Sequence, residues 1–156
     1  MPTAMKLPVA VAFLLCAGPA LAQTNLGELL DAGAKPLSAQ EFKEALVQRV
    51  VVGPTPTGGR IEVMYTTSGG VQGTGHTRPA AETMIVIVPI NGAWTLGDDG
   101  KVCTSMRIGI GQGGGNAPPV VLPPRCQFWF KHGEQYFLSD SDSDRGARVL
   151  LRTLKQ

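Results

Sequence analysis

The pattern of hydrophobic positions changes once along the chain, from a helical repeat to a strict alternation. Ser38 and Glu41 form a capping box, in which each side chain bonds the backbone N–H of the other residue. Phe42 and Leu46 then follow at helical spacing on one face. This pattern predicts an amphipathic helix over 39–48, whose apolar face packs on a core.

From residue 60 onward the repeat becomes two, with Ile61, Val63 and Tyr65 on one face of a strand. Ser68-Gly69-Gly70 predicts a turn into a second strand. Further strands are predicted at 83–90, 93–96, 101–108, 126–130, 135–139 and 148–154, with a two-residue hairpin turn at Asn91-Gly92. The fold class is therefore mainly β (α+β): an N-terminal helix, then an antiparallel meander of seven or eight strands forming a small barrel or sandwich.

The first residues have the features of a secretory signal peptide. Lys6 supplies the positive charge, residues 9–16 are mainly apolar, and Ala20-Leu21-Ala22 matches the pattern of a cleavage site. We expect cleavage of residues 1–22 and a mature chain from Gln23 in the periplasm or secreted outside the cell. The apolar run is too short for a membrane span.

Two further segments follow the signal peptide. Residues 23–36 are predicted to be a polar lead-in, and 37–156 a single β-rich domain, since no composition shift or internal repeat divides them. The whole chain of 156 residues carries 14 basic and 12 acidic side chains, a net charge of +2. This balance argues against binding nucleic acid through its phosphates.

Two cysteines, Cys103 and Cys126, remain after removal of the signal peptide. In an exported protein two such residues more often form a disulfide than a metal site or a nucleophile. A redox function is disfavoured because no Cys-x-x-Cys pattern is present. We therefore predict that a disulfide joins Cys103 and Cys126.

Asp140, Asp142 and Asp144 alternate in a short acidic segment, as the oxygen ligands of calcium loops do. Arg145 and Leu151 stand where an EF-hand loop has glycine and glutamate. The preferred interpretation is a solvated acidic loop without a cofactor, and a weak calcium site is the alternative.

Catalytic chemistry has little support in the sequence. His76 and His132 are the two histidines, and both stand in contexts typical of turns or loops. Neither lies in a motif for an activated nucleophile, and they do not give the spacing of a zinc site. We expect a non-enzymatic protein, with a hydrolytic enzyme as the least favoured alternative.

A long loop at 109–124 contains five glycines and four prolines, and aromatic residues follow it. Strand alternation would turn at least one of these rings outward, unless both faces of the strand are covered. Most of these rings are expected to lie in the core. The candidate contact surface for a partner comprises Gly113, Gly114, Phe128, Trp129 and Phe130.

Gly92-Ala93-Trp94, the run from Asp98 to Cys103 and the segment Cys126-Gln127-Phe128-Trp129 together resemble a loose group of small bacterial secreted domains. These domains combine a helix with a β-meander and two cysteines. The resemblance implies export and a disulfide between Cys103 and Cys126; it implies no activity and supplies no catalytic residues.

Gly92-x-Trp94 also resembles the lipocalin signature, which implies a barrel with a ligand cavity; lipocalins carry this motif on their first strand. The loop at 109–124 and the aromatic residues after it favour binding of an unknown protein or cell-envelope component, and this is the expected function. The alternative, which the lipocalin resemblance implies, is a carrier of a small ligand.

Overall fold

A computed structural model describes residues 25–77, 85–109 and 118–156. The predicted signal peptide at 1–22, and Gly113 and Gly114, lie outside these residues. The helices are α1 (Leu26–Asp31) and α2 (Ala39–Leu46). The strands are β1 (Lys35–Pro36), β2 (Val50–Pro54), β3 (Arg60–Tyr65), β4 (Gly70–Thr77), β5 (Val86–Leu96), β6 (Val102–Ile108), β7 (Val120–Val121), β8 (Arg125–His132), β9 (Gln135–Ser139) and β10 (Val149–Leu154).

Eight strands form a closed antiparallel barrel in the order β2-β3-β4-β5-β6-β8-β9-β10, and β10 pairs with β2. The pairing of β6 with β8 is short: Val102–Thr104 face Arg125–Gln127. The extra strands β1 and β7 pair with β8 and β6 on either side of this stretch. The predicted mainly β fold with a preceding helix is confirmed, and its strands close into a barrel.

Helix α2 fills one end of the barrel interior. Its capping box is formed as predicted: the Ser38 backbone N–H donates to Glu41 Oε2 at 2.8 Å, and the Glu41 N–H donates to Ser38 Oγ at 3.2 Å. Phe42 is fully buried, and its ring centroid lies 5.4–5.8 Å from those of three aromatic rings, Tyr65, Trp94 and Trp129. This aromatic cluster packs the α2 end of the barrel densely.

Residues 25–36 of the predicted polar lead-in are part of the fold. Asn25 caps α1 by accepting a hydrogen bond from the Glu28 N–H at 2.9 Å. Leu26 and Leu29, at helical spacing, are fully buried in a second core cluster on the outer face of β8, β9 and β10. The spacing of the two leucines is helical, but a helix of six residues is too short to produce a clear periodic pattern in the sequence.

The strand pattern differs from the prediction at two places. No strand is predicted at 50–54, but Val50–Pro54 form β2, which completes the ring. The hairpin turn at Asn91-Gly92 is absent, because both residues lie inside the continuous strand β5 and neither has the positive φ of a type I′ turn. A Cβ at Gly92 would collide with the carbonyl oxygen of Ser105, so this glycine lets β5 and β6 approach closely.

Candidate ligand cavity

The barrel interior holds a cavity of about 590 Å³ between Tyr65 and the turn that joins β2 to β3. The alternation on β3 is as predicted, since Ile61, Val63 and Tyr65 all line this space. Side chains from β5, β6, β9 and β10 complete the wall. Its apolar members are Ile61, Val63, Ile90, Met106, Ile108, Leu122, Leu138 and Leu150.

The rim of the cavity is polar and exposed. Thr55 and Thr57 stand in the β2–β3 turn, and Arg125 lies at the start of β8. The Arg125 guanidinium donates from Nη2 to both carboxylate oxygens of Asp140, at 2.8 and 3.1 Å, and Gln127 donates to the same carboxylate at 2.8 Å. Because Thr57 and Arg125 are exposed whereas the wall is largely buried, the cavity opens to solvent at this end.

Arg152 is the charged residue in the cavity wall beyond the rim. It occupies an inward position of β10, two residues after Leu150, and is 5% exposed. Its Nη1 donates to the backbone oxygens of Pro54 and Leu151, each at 2.8 Å. Among the described residues no carboxylate pairs with Arg152. Burial lowers the pKa of this guanidinium because the charged form has lost its water.

Tyr65 brings a phenol to the same cavity. Burial raises the pKa of Tyr65 to about 12, and the nearby Arg152 charge opposes part of that rise. The hydroxyl therefore keeps its proton at neutral pH and serves as a hydrogen-bond donor or acceptor. The sequence analysis did not predict that Arg152 and Tyr65 would be polar groups of a binding site. A pattern that could have indicated Arg152 is the alternation of Leu150, Arg152 and Leu154, because it places a cation on the inward face of a strand.

The three rings of the candidate contact surface lie in the core, as expected for most of the aromatic residues, so none of them offers an exposed contact. Trp129 points into the barrel and packs on Phe42 and Tyr65, whereas Phe128 and Phe130 lie on the outer face beneath α1. All three rings are buried. Both faces of β8 are covered, because α1 occupies the side that alternation would otherwise expose.

Two of the three aspartates have carboxylates that are hydrogen-bonded within the protein. The Asp140 carboxylate is engaged by Arg125 and Gln127, and that of Asp144 accepts a hydrogen bond from the Gly146 N–H at 2.9 Å. In the described part of the chain, no group of three or more His, Cys, Asp or Glu side chains is placed to hold a metal ion.

Cys103 and Cys126 form the predicted disulfide, with an S–S distance of 2.02 Å. They are facing residues of β6 and β8, so the bond crosses the short pairing that closes the barrel. A disulfide is compatible with an exported protein. The histidines lie apart in the fold: His76 is on β4, facing Arg60, and His132 ends β8, facing Gln135.

Comparison of the chain with protein-family models, with curated proteins and with solved structures finds no match. The helices of the described residues are all too short or too polar to cross a membrane.

Proposed function

We propose that the protein binds a small, largely apolar molecule inside its barrel. The observation that carries this proposal is the cavity of about 590 Å³, whose wall is mainly aliphatic and whose rim is polar. Small-molecule sites typically have volumes of about 300–1,000 Å³ and combine apolar walls with a few polar groups. The lipocalin-like alternative is therefore favoured over the partner surface that the buried aromatic residues were expected to form.

The unequal packing of the two ends of the barrel supports the same function. Protein interiors are packed about as densely as organic crystals, and empty space costs the dispersion contacts of the atoms around it. The α2 end follows this rule, because Phe42 packs against both Trp94 and Trp129. The opposite end is lined by smaller aliphatic side chains, which surround the cavity of about 590 Å³. A ligand that fills this space recovers the missing contacts.

Titration with the neutral fluorescent probe N-phenyl-1-naphthylamine tests this proposal. Ile61→Trp adds a large ring to the cavity wall, and Met64→Trp adds the same ring on the opposite face of the same strand. We expect the wild type and the Met64→Trp control to bind the probe, and Ile61→Trp to bind it at least tenfold more weakly. Equal affinity in all three folded proteins, or no binding by the wild type, would contradict the proposal.

Binding of a partner protein is the second candidate function, and it rests on a different surface from the one predicted. Ile85 and Ile87 on the β5 side, and Val120 and Val121 of β7, are each more than half exposed. Large exposed apolar side chains that are close in the chain, as in each of these two pairs, are typical of interaction sites. If they bind a partner, Ile87→Ser with Val121→Ser should abolish its recovery from the native extract, whereas the cavity variant Ile61→Trp should not.

A further inference from the structure

A buried cation inside an apolar cavity is energetically unfavourable unless an anion accompanies it. Moving a guanidinium from water into a barrel interior removes its hydration, and an unpaired buried charge is strongly destabilising. Arg152 is in this position, because it is almost fully buried and no described carboxylate pairs with it. The carboxylate of Asp140 is held by Arg125 and Gln127 at the rim. A ligand that carries an anionic group would therefore relieve this cost.

The hydrogen bonds of Arg152 leave one edge of the guanidinium unused. A guanidinium has five N–H groups, and two of them, both on Nη1, donate to Pro54 and Leu151. Nη1 and Cδ lie against Gly53, where a Cβ would come within 2.6 and 2.9 Å of them. The absence of a side chain at Gly53 thus gives Arg152 its path along the wall. Nε and Nη2 make no hydrogen bond within the described residues.

The free edge of Arg152 is not enclosed by protein atoms. Among the described residues, one fully enclosed side-chain nitrogen or oxygen atom lacks a hydrogen-bond partner. This atom is Trp129 Nε1. Nε and Nη2 of Arg152 are therefore not sealed in protein, and the cavity is the space that this side chain lines. Two parallel N–H groups along one edge of a guanidinium match the two oxygens of a carboxylate.

We infer that the ligand of the barrel is an apolar molecule with a single carboxylate group, which binds side-on to Nε and Nη2 of Arg152. This inference rests on the proposed function, since it requires that the cavity takes a ligand. The aliphatic wall, including Ile90, Leu138 and Leu150, contacts the apolar body of the molecule. One carboxylate neutralises the one unpaired cation of the wall, whereas a second negative charge would be buried without a partner. Tyr65 lines the same space and offers a further hydrogen-bond donor.

Calorimetric titration at pH 7 with decanoate, 1-decanol and decylammonium tests the inference, because these probes share one apolar chain and differ in charge. In the wild type, we expect decanoate to bind about tenfold to a hundredfold more tightly than decanol, as a charge-assisted bidentate pair implies. Decylammonium should bind most weakly. Arg152→Met keeps a side chain of similar length without charge, and in this variant decanoate should lose its advantage over decanol. Arg49→Met removes an exposed arginine outside the cavity and should retain the wild-type preference.

The outcomes separate the inference from the function it rests on. If the wild type binds decanol and decanoate equally, or prefers decylammonium, the inference fails while the binding cavity stands. If the wild type binds none of the probes, including N-phenyl-1-naphthylamine, the proposed function fails as well.

An NMR measurement covers the case in which Arg152→Met does not fold. Decanoate should shift the Nε–H resonance of Arg152 in the wild type, and decanol should leave this resonance near its position without ligand. An unchanged resonance on saturation with decanoate would overturn the inference.

Discussion

Removal of the disulfide should destabilise the protein by an amount that follows from its position in the chain. Cys103 and Cys126 are 23 residues apart, and the bond closes this loop in the unfolded state as well as in the folded one. The chain-entropy relation for a loop of this length gives about 3 kcal/mol of stabilisation. The two residues already face each other in the pairing of β6 with β8, so the double variant Cys103→Ala/Cys126→Ala removes the link and leaves that pairing able to form.

Urea unfolding followed by circular dichroism measures this effect. A loss of about 3 kcal/mol, at a slope of about 1–3 kcal/mol per molar, lowers the urea midpoint by about 1–3 M. Thr95→Ala is the matched control: Thr95 is exposed on β5 and faces Cys103 from the other side, and its replacement should change the free energy of unfolding by less than about 0.5 kcal/mol. A double variant within 1 kcal/mol of the wild type, at an unchanged slope, would refute the entropic reasoning.

Two further predictions concern the aromatic end of the barrel. Phe42→Ala should lower the free energy of unfolding by about 3–5 kcal/mol, because a fully buried ring in contact with three others is removed; thermal and urea melts measure this, and a loss below about 1 kcal/mol would contradict it. Absorbance titration should show a tyrosine that ionises near pH 12, and Tyr65→Phe should abolish this transition. Because the folded-state pKa of Tyr65 is raised above its ordinary value of 10.0, the folded state holds more protons between these pH values, and stability should fall as the pH rises from about 10 to 12. A wild type whose tyrosines all ionise near pH 10 would contradict this assignment.

The features that the sequence predicted well are those with local causes. The capping box of Ser38 and Glu41 satisfies backbone donors within one turn, so α2 begins where the pattern places it. The predicted strand at 135–139 has the same bounds as β9, because turn residues flank a short run of aromatic and aliphatic side chains. The disulfide followed from counting cysteines in a chain expected to be exported.

The features that it did not predict depend on distant parts of the chain. Asn91-Gly92 has the local signature of a hairpin turn, yet β4 and β6 pair with both sides of β5 and keep it straight through these residues. The burial of Phe128 and Phe130 requires α1, which lies about a hundred residues earlier in the chain. The cavity depends on the combined volume of inward side chains from several strands, and no local pattern reports that volume.

The position of Arg152 links the stability of the fold to its proposed function. No described carboxylate neutralises its guanidinium, and the adjacent cavity lacks packing contacts, so both features lower stability. The dense cluster around Phe42 and the disulfide across β6 and β8 offset this cost elsewhere in the same barrel. A ligand that pairs with Arg152 and fills the cavity relieves both unfavourable features in the folded state alone. Its binding must therefore raise the free energy of unfolding, and the increase should grow with ligand concentration above its Kd.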